Sequence, residues 1–285
     1  MNYNKEFDNN TEISWCPGCG NFGILNALKI SFTELDLSPK DILVVSGIGQ
    51  AAKTPHFINV NGFNGLHGRG LPSALGAKSV NKSLKVIVTS GDGDSYGEGG
   101  NHLIHNIRRN IDITHLVHNN QIYGLTKGQG SPTTAMGQST TLQSDGMKVD
   151  PINPISTAIA LGCSFVARSF SGDINHLKEM IKAGINHKGY ALIDILQPCV
   201  TFNRINTFKW YKDRIYYLDS EYDPFNKLKA FEKSLEWDDN IPLGIIYKEE
   251  KIEFLDRFPH LKGKKSLVDK SLDPKEAEQF IEEFI

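Results

Sequence analysis

Positive charge is not in surplus in this chain. Its 31 Lys and Arg stand against 33 Asp and Glu, a formal net charge of -2. Such a balance gives no field for gripping a phosphate backbone along its length, which excludes nucleic acid as the expected partner. Long apolar runs are missing too. None approaches the roughly 20 residues that cross a bilayer, and the first ten residues are polar and acidic rather than basic and then apolar, so a cytoplasmic protein with no membrane partner is expected. Cysteine is scarce: four in 285 residues, two of them in Cys16-Pro17-Gly18-Cys19. That usage does not resemble a secreted disulfide framework and favours metal or redox chemistry. Internal repeats and low-complexity tracts are absent as well. What the chain does have is 39% apolar residues, enough to bury a full core, which excludes disorder.

From residue 40 to 196, short β-branched runs alternate with helical stretches. This is the pattern of an α/β fold, a parallel sheet flanked by helices on both faces. Strands are expected at 42–46, 85–89, 113–118, 165–168 and 191–196, and helices at 21–35, 71–81, 99–109, 154–161 and 174–187. Several of the helices open on Gly, Asn, Pro or Asp. Residues 1–200 are expected to form the main domain. Residues 201–285 form a C-terminal appendage, with aromatics at Trp210, Tyr211, Tyr216 and Tyr217 and amphipathic stretches at 224–235 and 274–284, that packs on the core or on a partner. Between Gly124 and Asp150 lie five Gly and five Thr with no convincing period. A loop of that length inside a compact domain is usually functional.

The densest chemistry follows the run Lys85-Val86-Ile87-Val88-Thr89-Ser90, which leads into Gly91-Asp92-Gly93-Asp94. Glycines let backbone approach a phosphate, and a carboxylate just past a strand end can hold a hard cation that bridges phosphate oxygens. Twenty-five residues later the next apolar run ends in Asn119-Asn120, whose amide oxygens suit an octahedral Mg2+ site. Either half alone is a common turn or helix start. Both halves at this spacing, each after a strand, resemble the thiamine diphosphate motif, which implies Mg2+ held by Asp92, Asn120 and the carbonyl of Ile122. The alternative of a Mg2+-nucleotide site lacks both a Gly-x-x-x-x-Gly-Lys-Ser/Thr sequence and a Gly-x-Gly-x-x-Gly after a strand.

Further motifs extend this likeness: Trp15-Cys16-Pro17-Gly18-Cys19-Gly20, Ser46-Gly47-Ile48-Gly49, Leu66-His67-Gly68-Arg69-Gly70, Arg108-Arg109-Asn110, the stretch from Tyr123 to Thr134, and Gln197-Pro198-Cys199. Over residues 12–215 the chain resembles the β subunits of the 2-oxoacid:ferredoxin oxidoreductases. The resemblance implies thiamine-dependent oxidative decarboxylation of a 2-oxoacid, 2-oxoglutarate first, with transfer of the acyl group to coenzyme A and of single electrons to iron-sulfur carriers and ferredoxin. It also implies an α subunit, which supplies the Glu that activates the pyrimidine ring, and leaves room for further small subunits.

Cofactor contacts carry over to Ile48, Gly49, His67, Gly91, Asp92, Gly93, Asp94, Asn120, Ile122, Gly124 and Leu125, with His67 donating to the diphosphate. Lys53 matches a lysine near cofactor and substrate, and Leu125 and Lys127 match positions facing the 2-oxoacid, where a lysine would attract the distal carboxylate of 2-oxoglutarate. His56, His102, His105, His115 and His118 share no metal-ligand spacing with a cysteine or carboxylate cluster, and packing or surface roles are expected for them.

One departure stands out. Three positions that hold a 4Fe-4S cluster in relatives are matched by Cys16, Cys19 and Cys199, but the fourth is Gln50, a hard neutral donor poorly suited to iron. Three outcomes follow: a three-cysteine cluster with a non-thiolate fourth ligand, which is preferred, a labile cluster, or a site with no cluster or with Zn2+. Cys163 ends an apolar stretch and is expected to be a small buried residue. Two other functions compete: a non-redox two-subunit thiamine-dependent 2-oxoacid decarboxylase, which has no use for Cys16, Cys19 and Cys199, and a scaffold without turnover, which has no use for Asp92, Asn120 and His67.

Overall fold

The computed structural model describes residues 3–271 and 274–282. Helix α1 (Asn21–Glu34) leads into strand β1 (Ile42–Ser46), then β2 (Asn61–Asn64), α2 (Gly70–Val80) and β3 (Lys85–Gly91). A π-helical turn, Gly93–Glu98, joins β3 to α3 (Gly100–Arg109), followed by β4 (Ile113–Asn119) and a small hairpin, β5 (Ile122–Tyr123) with β6 (Gln129–Gly130). Next come α4 (Pro154–Ala160), β7 (Phe165–Phe170), α5 (Ile174–Asn186) and β8 (Tyr190–Leu196), then α6 (Phe208–Lys212), β9 (Ile215–Tyr217), α7 (Lys227–Ser234), β10 (Ile241–Lys248) and α8 (Pro274–Glu282).

The sheet has eight strands in the order β2-β1-β3-β4-β8-β7-β10-β9. All pairs from β2 to β7 are parallel; β10 joins β7 antiparallel and carries β9 on its outer side. The interior parallel strands β1, β3, β4, β8 and β7 are buried on both faces, which is why they read as continuous apolar runs. Alternation along each strand feeds two cores. Val44, Ile87, Leu116 and Ile193 pack under α1 and α5, while Val45, Val88, Val117 and Leu192 pack under α2, α3 and α4.

Helix ends are set by local chemistry. Asn153 caps α4 by accepting from the N–H groups of Ile155 and Ser156, with Pro154 in the first turn, and Asp173 caps α5 through the N–H of His176. Helix α3 stops at Asn110 in the left-handed conformation (φ 58°), whose Oδ1 accepts from Ser164 Oγ and Tyr190 N–H, tying the helix to the entries of β7 and β8.

Every strand expected from the pattern is present, and the five expected helices agree to within a residue or so. The sequence pattern missed β2, β9 and β10. After residue 200, β9 and β10 extend the sheet itself and α7 packs against α4. The stretch expected as amphipathic at 224–235 holds α7, and that at 274–284 holds α8; residues 283 and 284 lie outside the described residues. Among the described residues no helix is long and apolar enough to cross a membrane.

Candidate active site

Strands β1, β3, β4 and β8 all point their carboxyl ends to one edge, where open parallel sheets place their ligands. At the end of β3 the chain turns through Gly91-Asp92-Gly93-Asp94, and the two carboxylates part company. Asp92 is 1% exposed, and its Oδ2 accepts from Ser131 Oγ at 2.5 Å and Thr133 Oγ1 at 2.7 Å. Burial pushes its pKa up to about 6, against the pull of those two hydroxyls. A carboxylate so placed, with Asp194 adding repulsion, is suited to a cation that would restore its charge.

Asp94 faces the other way. Its Oδ1 accepts from the N–H groups of Ile48 (3.0 Å) and Gly68 (2.7 Å), and His67 Nδ1 stands 2.9 Å away, within charge range but off the line of a hydrogen bond. These donors come from the turns after β1 and before α2. Glycine is required there by contact: a Cβ on Gly47 would sit 2.1 Å from Asp94 Oδ2, and one on Gly68 (φ 71°) would sit 2.4 Å from the Glu98 carbonyl carbon. Two amides, with an imidazole nearby, thus hold Asp94 at the mouth of the turn. Burial raises the pKa of Asp94 while the Ile48 and Gly68 amides work to lower it.

At the end of β4, Asn119 and Asn120 diverge in the same manner. Asn119 Nδ2 donates to both oxygens of Asp194 (3.1 and 3.3 Å) and its Oδ1 accepts from Thr133, while Asn120 Oδ1 accepts from the N–H of Ile122 (3.0 Å). Asp92, Asn120 and the Ile122 carbonyl thus belong to adjoining strand ends and offer an all-oxygen donor set of the type Mg2+ takes. The loop after β4 serves this site: Ser131 and Thr133 hold Asp92, Thr134 Oγ1 donates to the Gln121 carbonyl, and the Tyr123 ring packs where a Cβ on Gly93 would be.

A pocket of about 30 Å³ reaches Asn120 and is lined by Cys16, Cys19, Cys199, Gln50 and Gln197 among others. Burial pushes the Cys19 thiol up to about 11, with Cys199 and Cys16 adding to the effect. Gln50 Oε1 is buried without a hydrogen-bond partner among the described residues. Gln197 ties Cys19 to the end of β4: its Nε2 donates to Cys19 Sγ (3.4 Å) and its Oε1 accepts from Asn120 Nδ2 (3.1 Å). Among the described residues no three His, Cys, Asp or Glu side chains are grouped to hold a single metal ion. Cys163 is fully buried in the core under α4, with its Sγ on the Phe165 carbonyl, away from the other three cysteines.

Of the remaining sequence-derived positions, Ile48 is exposed on the turn after β1, Leu125 and Lys127 are exposed between β5 and β6, Lys127 with φ 83°, and Gly124 lies between Gln50 and Cys199. Lys53 Nζ donates to Ser14 Oγ, on the segment leading into Cys16. His115 and His118 are buried and neutral, each pushed down to about 3 by burial; His115 bonds Ser90, Ser95 and Tyr190, and His118 bonds Asn21. Sequence reasoning did not single out Ser131, Thr133, Asp194 or Gln197 for these roles. The only visible sign was Asp194, a charge inside the apolar run of β8.

Residues 45–195 match the family described as "Thiamine pyrophosphate enzyme, C-terminal TPP binding domain", and residues 199–263 match the family of the C-terminal part of the pyruvate ferredoxin oxidoreductase beta chain. The fold and the glycine-carboxylate turn are therefore those of a thiamine diphosphate-binding enzyme domain. "2-oxoacid:ferredoxin oxidoreductase 1, subunit beta" of Aeropyrum pernix is 52% identical over 244 residues, 82% of this chain and 77% of the relative. "2-oxoglutarate synthase subunit KorB" of Methanocaldococcus jannaschii is 36% identical over 248 residues, 87% and 92% of the two chains. A solved 2-oxoglutarate:ferredoxin oxidoreductase from Magnetococcus marinus, with 2-oxoglutarate, coenzyme A and succinyl-CoA bound, superposes with a TM-score of 0.86 at 33% identity, covering 88% of this chain and 86% of that one. The chain belongs to the β subunits of the 2-oxoacid:ferredoxin oxidoreductase family.

Proposed function

We propose that this chain, paired with an α subunit in the cytoplasm, catalyses the oxidative decarboxylation of a 2-oxoacid to acyl-CoA and CO2 with reduction of ferredoxin, and that 2-oxoglutarate is the preferred substrate. The observation that carries the reading is the union, at one sheet edge, of a buried carboxylate (Asp92), a neutral amide (Asn120) and the glycine turns that bring Ile48, His67 and Gly68 onto Asp94. Bound thiamine diphosphate supplies the nucleophile and the electron sink. The chain's part is to hold it: Asp92, Asn120 and the Ile122 carbonyl would ligate Mg2+, and His67, with the loops carrying Ile48, Gly49, Gly91, Gly93, Asp94 and Gly124, would seat the diphosphate. Leu125 and Lys127 would border the 2-oxoacid, with Lys127 drawing its distal carboxylate and Lys53 nearby. The names of the KorB relative and the Magnetococcus structure support 2-oxoglutarate. On this reading residues 1–200 carry the cofactor, and residues 201–285 complete the far edge and meet the partner.

A 4Fe-4S cluster would rest on Cys16, Cys19 and Cys199, with Gln50 at the fourth corner. Support comes from the shared pocket and the unpartnered Gln50 Oε1. The test is to co-produce the chain with its α subunit and supply 2-oxoglutarate, pyruvate or a branched 2-oxoacid with coenzyme A and ferredoxin. Reduced ferredoxin formed in a coenzyme A-dependent manner, fastest with 2-oxoglutarate, is expected. Release of CO2 with aldehyde as sole product would establish the non-redox alternative instead.

A further inference from the structure

Gln197, the first residue after β8, is 1% exposed and lies between the end of β4 and the cysteine pocket. Its Nε2 donates one hydrogen to the Pro198 carbonyl (2.9 Å) and the other to Cys19 Sγ (3.4 Å), and its Oε1 accepts from Asn120 Nδ2 (3.1 Å). At the far end, Asn120 Oδ1 accepts from the N–H of Ile122 (3.0 Å). The sense of this chain is forced. A backbone carbonyl can only accept and a backbone N–H can only donate. Pro198 therefore fixes which end of the Gln197 amide faces Cys19, and Ile122 fixes which end of the Asn120 amide faces Gln197. An oxygen is left on the cation side and an N–H on the sulfur side. Gly20 makes room for the amide, since a Cβ there would stand 2.8 Å from Gln197 Cγ, and the main chain is held by donation from Gln197 N–H to the Asn119 carbonyl (2.9 Å).

A fixed one-way chain can transmit as well as hold. Hydrogen bonds in series polarise one another inside a protein, by roughly 10–30% per bond. A cation at Asn120 Oδ1 draws electron density from that amide, strengthens donation by its Nδ2, and through Gln197 strengthens donation to sulfur. We propose that Gln197 is a positioning residue that couples the two sites, turning the Asn120 oxygen to the cation and passing the effect of a cation there to Cys19 Sγ. This coupling rests on the function proposed above, in which Asn120 ligates Mg2+ and Cys19 ligates an iron-sulfur cluster. A cluster on Cys19 then becomes the better electron acceptor once the cofactor is seated, because hydrogen bonds to its sulfurs favour the reduced, more negative state.

Potentiometric titration of the αβ complex, with the reduced cluster followed by electron paramagnetic resonance, tests the coupling. The potential is measured without cofactor and at saturating Mg2+ and thiamine diphosphate in three proteins: the wild type, Gln197→Met, which keeps nearly the same shape without the amide, and Gly20→Ala, which pushes the amide aside. The direct field of the cofactor acts on all three, so the decisive quantity is the difference between their responses. On cofactor binding the wild-type potential should rise relative to both variants by about two- to threefold in the reduction equilibrium, roughly 20–30 mV at 59 mV per tenfold for one electron. Equal responses would overturn the proposal. If the complex holds no iron, the cluster reading fails by itself, and the S–H stretch of Cys19, identified by its loss in Cys19→Ser, is followed by infrared difference spectroscopy instead. A cofactor-induced shift of that band in the wild type and not in Gln197→Met sustains the coupling, and the same band in both ends it. Failure of the wild-type complex to bind Mg2+ and thiamine diphosphate would overturn both the coupling and the function beneath it.

Discussion

Replacing Asp92 by Asn separates what this carboxylate costs the fold from what it gives the site. Its pKa is about 6 in the folded chain against an ordinary 3.8, and burial is the main cause. Between those values the folded chain holds a proton that the unfolded chain has released, so the folded state binds more protons and stability falls as pH rises from about 4 to about 6. A difference of about two pK units corresponds to roughly 3 kcal/mol of destabilisation at neutral pH, an upper figure that relaxation around Asp92 will reduce. Asn has the same shape and can still accept from Ser131 or Thr133. In chelator at about pH 7.5 the variant should therefore be more stable than the wild type by about 1–3 kcal/mol in denaturant unfolding, and this advantage should shrink as pH is lowered through the same window. Adding Mg2+ with thiamine diphosphate should reverse the order. Ligand at about 100 times Kd stabilises the wild type by about 2.7 kcal/mol, whereas the variant, lacking the anionic oxygen, gains little. A variant less stable than the wild type in chelator at neutral pH, or one stabilised equally by the cofactor, would refute the reasoning.

Three further outcomes are expected. Gln50→Cys completes the thiolate set, so anaerobically purified variant should carry more iron and stronger visible absorption than the wild type; unchanged iron content would remove the Cys16, Cys19 and Cys199 pocket from consideration as a cluster site. Gln197→Leu cuts the link between Cys19 and Asn120, and the loss of two hydrogen bonds of about 1 kcal/mol each should weaken Mg2+-dependent cofactor binding several-fold, measured by calorimetry. Lys127→Ala should raise KM for 2-oxoglutarate about tenfold while leaving that for pyruvate little changed, a contrast that steady-state kinetics on both substrates would deny if both moved together.

The interior of the fold was legible because its strands are buried on both sides. Runs such as Val86-Ile87-Val88 in β3 and Ile113-Thr114-His115-Leu116-Val117 in β4 have no polar face to confuse the pattern. The edges were not. Strand β2 is Asn61-Gly62-Phe63-Asn64 and exposed throughout, while β10 contains Pro242 and Gly244, residues that argue against a strand unless a neighbour fixes the backbone. The site divides in the same way. Asp92 and Asn120 declare themselves by spacing, but the partners of Asp92 are hydroxyls 39 and 41 residues downstream, a pairing made only by the tertiary course of the loop.

The π-helical turn after β3 fixes the behaviour of the two acids at its mouth. Being wider than an ordinary turn, it sends Asp92 toward the loop from β6 and Asp94 toward the loops from β1 and α2. Insertion or removal of one residue here would rotate the pair by a large part of a turn, withdrawing Asp94 from the Ile48 and Gly68 amides and Asp92 from the Ser131 and Thr133 hydroxyls. Drift of this sequence can therefore tolerate a change in either acid's neighbours more readily than a change in the interval between the acids, and homologues with an altered interval should have surrendered the coenzyme.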